Sequence, residues 1–89
     1  DQFDLLYART LEESGDTDGA LKAYSEFARL FSGEEARCRY AMLLAKVGKK
    51  QESDDLFNEI LKNSRLSPKF YVREQKQWID IAKKQMKHA

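Results

Sequence analysis

One cysteine, one histidine, one proline and four glycines are all that these 89 residues hold of their types. A lone cysteine, Cys38, excludes an internal disulfide and argues against a thiolate metal site. So little proline and glycine argues against both a turn-rich β fold and a disordered chain. No apolar run approaches the roughly 18–20 residues that cross a bilayer, and no signal-peptide pattern opens the chain. Period-two alternation never persists beyond a few residues. There is no phosphate-cradling glycine loop, no metal-ligand spacing, and no serine or cysteine beside a sequence-evident base. Paired carboxylates such as Glu12–Glu13 and Asp54–Asp55 are adjacent on helices and diverge rather than converge. These absences describe an all-α domain that is not an enzyme and needs no cofactor or metal.

What is present is an echo. Leu6-Tyr7-Ala8-Arg9-Thr10-Leu11 returns as Arg39-Tyr40-Ala41-Met42-Leu43-Leu44, 33 positions later. Gly15 recurs as Gly48, Tyr24 as Phe57 and Glu26 as Glu59 at the same offset. Coincidences at one offset are the mark of a structural repeat. A chain this short buries only about 60–65% of its unfolded surface, which suits thin helical layers better than a deep core.

Apolar periodicity then places the helices. Phe3, Tyr7 and Leu11 form a stripe over about 2–14, and Gly15 can take the left-handed conformation that ends such a helix. Asp16 or Thr17 can cap the next helix, which carries Ala20, Tyr24, Phe27 and Phe31, with Leu21, Ala28 and Leu30 beside them, and ends at Ser32-Gly33. Ser32 and Glu35 have capping-box spacing ahead of a third helix with Ala36, Tyr40, Leu44 and Val47 as its spine, closed by Gly48. A fourth helix over about 50–63 turns Ser53, Leu56, Phe57, Ile60 and Leu61 inward. Its start lacks an acid or hydroxyl cap, because Lys49 and Lys50 stand there. Asn63–Leu66 reads as a connector, and Ser67-Pro68 as N-cap and N1 of a long fifth helix bearing Val72, Gln75, Ile79, Ala82 and Met86 on one side. The expected architecture is one all-α domain over 1–89, an α-solenoid of five helices. Repeat one spans 1–33, repeat two 34–66, and a capping helix covers the last repeat over 67–87.

Charge is near balance but unevenly spread. Residues 1–33 carry seven acids against three bases, 34–66 six against seven, and 67–89 two against six. The chain is therefore acidic first and basic last. It opens on Asp1 in what reads as the start of a helix, which points to a piece of a longer protein. The expected location is cytoplasmic, with membrane attachment only through an anchor upstream.

With Ala8, Leu11, Gly15, Asp16, Ala20 and Tyr24 in place, residues 1–31 resemble the 34-residue pattern of the tetratricopeptide repeat family. Residues 34–66 follow it through Tyr40, Ala41, Leu44, Gly48 and Phe57. The repeat is divergent: Ser53 stands where alanine is usual, Phe27 and Ile60 where a small residue is usual, and the inter-repeat proline is missing. A narrower similarity is to the C-terminal part of uncharacterised bacterial proteins with such repeats.

The resemblance implies a protein–protein interaction module whose groove is lined by the first helix of each repeat. Carried onto this chain, the groove positions are Gln2, Leu5, Arg9, Glu12 and Glu13, then Glu35, Cys38, Met42, Ala45 and Lys46. Such a groove has an apolar floor with Arg9 at its centre, suited to a peptide or protein partner and not to a small-molecule substrate. Met42 and the lack of a groove asparagine argue against the family's carboxylate clamp for chaperone tails. The bland alternative is that these positions are solvated or covered by the fifth helix, and that the chain is a purely structural terminal segment.

Cys38 lies between Arg37 and Arg39, which would favour a thiolate if all three converged. Neighbours on a helix diverge, so a small buried hydrophobe is the preferred reading. His88 reads as a tail residue. Lys69, Arg73, Lys76, Lys83, Lys84 and Lys87 interleave with Phe70, Tyr71 and Trp78, a mixture that can meet nucleic acid or an anionic surface. Packing aromatics and solvated lysines explain it equally well, and without polar base-reading pairs in each repeat, nucleic acid is the weaker expectation. Self-association through Phe3, Leu5 and the first helix is a further expectation.

Overall fold

A computed structural model describes residues 2–30 and 33–87, apart from the side chains of residues 2, 3 and 30. The expectations that concern Gln2, Phe3, Leu30, Phe31, Ser32 and His88 therefore fall outside what is described. Six helices run α1 Gln2–Glu13, α2 Thr17–Leu30, α3 Glu35–Lys46, α4 Lys50–Leu66, α5 Lys69–Glu74 and α6 Lys76–Lys87. No strand forms among the described residues, so the all-α class stands.

The two glycines of the echo do the same work. Gly15 has φ +92° and Gly48 φ +90°, the left-handed region that favours glycine. The N–H of Gly15 donates to Glu12 O at 3.2 Å and that of Asp16 to Leu11 O at 2.9 Å. At the second copy, Gly48 donates to Ala45 O at 3.2 Å and Lys49 to Leu44 O at 2.8 Å. Both are Schellman closures, which satisfy the carbonyls left over at a helix C-terminus. Asp16 then caps α2, its Oδ1 accepting the N–H of Gly19 at 3.0 Å. Lys49, at the equivalent place before α4, makes no side-chain cap bond.

Each helix of α1 to α4 packs on the next, and α6 packs mainly on α4. The smallest dimension of the Cα trace is 17 Å, room for two helix layers at the usual axial spacing of about 8–10 Å. Two apolar clusters result. Ala8, Ala20, Ala23, Tyr24 and Leu43 form the first, and Cys38, Ala41, Phe57, Ile60, Ile79 and Ala82 the second. The small residues Ala8, Ala20 and Ala41 are fully buried where helices approach closely. Ser53, where alanine is usual, is also buried, and its hydroxyl donates to Ala41 O at 2.7 Å, so its polarity is satisfied.

Several expectations are corrected. The fifth helix is two helices, because the chain turns at Gln75 (φ −97°, ψ 11°), whose side chain is drawn towards α3. Asn63–Leu66 is the last turn of α4 rather than a connector. Ser67 does not cap the following helix; it ends α4, with its hydroxyl donating back to Asn63 O at 2.7 Å. Its extended backbone (φ −101°, ψ 156°) is the conformation that a following proline imposes, and Pro68 itself takes the N-cap place of α5. Tyr7 is not a packing residue, being 59% exposed, and Val47 is 39% exposed. Leu43, outside the expected stripe, is buried instead, because α3 lies between two clusters and needs two apolar faces.

Burial differences set the expected cost of truncation. Phe57→Ala should lower unfolding free energy by about 3–5 kcal/mol, whereas Tyr7→Ala should change it by less than about 0.5 kcal/mol. Urea unfolding midpoints of the two variants test this, and equal losses would contradict the assigned core.

Candidate binding surface

A buried polar node fixes the surface around the start of α3. Glu34, just before that helix, is only 1% exposed. Its Oε1 meets Arg37 Nη1 at 3.0 Å, and its Oε2 accepts the hydroxyl of Tyr71 from α5. Its own N–H donates to Gln75 Oε1 at 2.9 Å. Arg37 also donates to Gly33 O at 3.2 Å and approaches Glu59 of α4 at 3.6 Å. A Cβ on Gly33 would stand 3.1 Å from Gln75 Oε1, so glycine leaves room for that amide. The capping of α3 thus comes from Gln75, 41 residues away, and the Glu35 carboxylate of the expected capping box is engaged by Arg39 Nε at 2.8 Å.

Against this frame the expected groove divides. Leu5 and Arg9 of α1 and Glu35 of α3 come together, with Leu6, around a cavity of about 290 Å³. All three are half-buried, whereas Leu6 is exposed. Arg9 makes no ion pair among the described residues. Glu12 accepts the hydroxyl of Tyr24 at 2.9 Å, which holds its carboxylate towards the first cluster. Glu13, Ala45 and Lys46 are exposed.

Cys38 and Met42 do not provide a groove floor. Cys38 is 0% exposed within the second cluster, Met42 packs against that cluster, and α6 closes over it with Ile79 and Ala82. Arg39 bridges the remaining edge, its guanidinium 5.0 Å from the centre of the Trp78 ring. Trp78 is therefore engaged within the fold, and the basic–aromatic mixture of the C-terminal region is partly packing, as its bland reading held. The sequence places Leu6 in the echo, Arg37 beside Cys38 and Gln75 on an apolar stripe, and assigns none of them, nor Glu34, to this surface. The Glu34–Arg37 pair is three residues apart, whereas Tyr71, Gln75 and Glu59 reach it from far along the chain. A second cavity, of about 430 Å³, lies between α2, α3 and α4, but the Arg37–Glu59 pair already occupies part of its charged wall.

Burial pushes the Cys38 thiol up to about 12, with Arg39 opposing the rise and Glu35 and Glu34 adding to it. The thiol is therefore neutral at ordinary pH and is not a reactive thiolate. Tyr71 is pushed up to about 12 by burial and by its bond to Glu34. Burial, followed by the bond to Glu12, also raises Tyr24.

Among the described residues no three His, Cys, Asp or Glu side chains gather as a metal site would require, and no helix is long and apolar enough to cross a membrane. The described residues are all helical, with α1 packed on α2, α3 on α4, and α6 mainly on α4. No protein-family model, curated protein or solved structure matches the chain.

Removing the centre of the node should be costly. Glu34→Ala removes the carboxylate that Arg37 and the Tyr71 hydroxyl share and should cost about 2–3 kcal/mol, while Tyr71→Phe should cost about 1 kcal/mol. Denaturant titration measures both, and a neutral Glu34→Ala would show that the node is ornamental.

The raised thiol and phenols also set a pH dependence. Because the fold holds Cys38, Tyr71 and Tyr24 neutral, their contribution is whole below the unfolded thiol value of about 9 and is lost as pH climbs towards 12. Unfolding midpoints should therefore fall from about pH 9 upwards, with a shallower fall in Cys38→Ala. An identical slope in that variant would contradict the burial of the thiol.

Proposed function

We propose that this chain is a protein–protein interaction module of tetratricopeptide-repeat type that holds a peptide or protein partner at the cavity between α1 and α3. The observation that supports this most is Arg9. It lines a cavity of about 290 Å³ beside Leu5 and Leu6, while the facing Glu35 is neutralised by Arg39 at 2.8 Å. A guanidinium left without an internal acid can take a carboxylate with two parallel hydrogen bonds, and the two leucines can receive an adjacent apolar side chain. The partner so defined is a peptide segment with a carboxylate next to an aliphatic residue, met in the cytoplasm. The family reading rests on paired Schellman closures, paired buried alanines and the Tyr24–Phe57 equivalence.

A second reading, a purely structural terminal segment of a longer solenoid, is favoured by the burial of Cys38 and the packing of Met42, which remove two apolar positions from the expected groove.

Selection from a displayed library of random peptides separates the two. The immobilised domain should enrich sequences pairing an acidic residue or a free C-terminus with an aliphatic neighbour, and Arg9→Gln should weaken the winners about tenfold or more. No enrichment over the Arg9→Gln background would leave the structural reading in place.

A further inference from the structure

The most exposed large apolar side chain among the described residues is Leu66, at 76%, and Phe70 follows just beyond the Ser67-Pro68 turn at 59%. They mark the corner where α4 gives way to α5. Between residues 62 and 76 stand Lys62, Arg65, Lys69, Arg73 and Lys76, with Glu74 the only acid. Lys76 is paired with Asp80 at 2.5 Å, but Lys69 and Arg73 are exposed and make no ion pair among the described residues. Helix α5 has no fully buried side chain and packs mainly on α6. The corner is thus an apolar knob among cations, unused by the fold.

Its complement lies on the α1–α2 hairpin. Tyr7, Leu11, Ala23 and Phe27 line a cavity of about 240 Å³ whose charged neighbours are Asp16, Glu26 and Lys22. That volume is below the roughly 300–1,000 Å³ of ordinary ligand pockets and is on the scale of a docked side chain. Tyr7 is exposed at its mouth although the sequence reads it as core. The chain is acidic over this hairpin and basic over its C-terminal part, so the two surfaces attract each other in different molecules.

We propose that this chain associates head to tail, the Leu66–Phe70 corner of one copy entering the Tyr7–Phe27 cavity of the next, with Lys69 and Arg73 facing Asp16 and Glu26. An anionic bilayer would satisfy the basic corner but offers nothing to the acidic cavity. Nucleic acid would be repelled by that cavity and gains no stacking from Leu66. A second copy satisfies both surfaces with one contact. Because the two surfaces differ, the contact is heterologous: an open assembly keeps one free corner and one free cavity, and only a ring that closes uses both. The interface is separate from the Arg9 cavity and does not depend on the function proposed there.

Sedimentation equilibrium tests this with two variants at exposed positions, Leu66→Ser/Phe70→Ser and Tyr7→Lys/Glu26→Lys, with circular dichroism confirming their helix content. Wild-type mass should rise with concentration and rise less in high salt. Each variant alone should be monomeric. Their equimolar mixture should form a one-to-one dimer and nothing larger, because the first keeps a working cavity and the second a working corner. If a pair fails to fold, Arg73→Glu alone should weaken association and Glu26→Arg in the neighbouring copy should restore it. A monomeric wild type, continued growth of either folded variant, or a mixture that stays monomeric would overturn the proposal. So would anionic vesicles or RNA captured by the corner without self-association.

Discussion

The buried carboxylate of Glu34 holds the C-terminal part of the molecule in place. A charge withdrawn from water is tolerated only when its oxygens are paired, and here one oxygen meets Arg37 and the other Tyr71. Gln75 adds a bond to the backbone N–H of the same residue. Helix α5 has no fully buried side chain, and its Val72 packs against the second cluster from a half-buried position, so apolar packing supplies only part of what holds it. Its place is set by polar bonds to a residue about forty positions earlier, and α6 follows from it onto the apolar face of α4. The break at Gln75 belongs to the same arrangement. An unbroken helix would have kept the amide on its own cylinder, whereas the turn lets it reach the start of α3.

The two hairpins share one joint and differ in what covers it. Ala8 and Ala41 are both buried, as are Tyr24 and Phe57, and both first helices end in the same left-handed glycine closure. Cover separates the remaining equivalents. Leu5 is half-buried where Cys38 is fully buried, Leu11 is half-buried where Leu44 is buried, and Phe27 is half-buried where Ile60 is buried. Helix α3 has α2 and α4 against it and touches α6, whereas α1 packs mainly on α2. The same positions therefore form closed core in one hairpin and accessible surface in the other. Accessible apolar surface is concentrated on the first hairpin for this packing reason, not because its residues are chemically richer.

Features set by local chemistry were legible in the sequence. The φ of Gly15 and Gly48, the Asp16 cap, and the burial of Ala8, Ala20 and Tyr24 depend on residues within a few positions or on the repeat itself. The misreadings share a different cause. Ser67 has the chemistry of an N-cap, but Pro68 stretches its backbone and its hydroxyl turns back to Asn63. Gln75 lies on an apolar stripe and reads as an ordinary helical residue until its partner at Glu34 is known. Tyr7 and Leu43 exchange places because one helix has a single packed face and the other two. At the surface, Leu5, Arg9 and Glu35, positions named through the resemblance, line one cavity, while Cys38 and Met42 are packed under a helix whose docking no periodicity encodes.

The electrostatics of the Arg9 cavity turn on which acids are already engaged. Glu35 lines the cavity with Arg9, and an uncompensated carboxylate there would repel an incoming anion. Arg39 removes that obstacle from the side, holding Glu35 at 2.8 Å while lying over the ring of Trp78, a residue of α6 that packs against the second cluster. Glu12, one turn after Arg9 on α1, is turned towards Tyr24. Two of the acids that could satisfy Arg9 are thus oriented elsewhere, and its positive charge is left facing the cavity beside two leucines. Helix α6, which packs over Cys38 and beside Met42, therefore helps to set the charge beside Arg9. It reaches the cavity through the ring under Arg39 and not through any contact with a ligand.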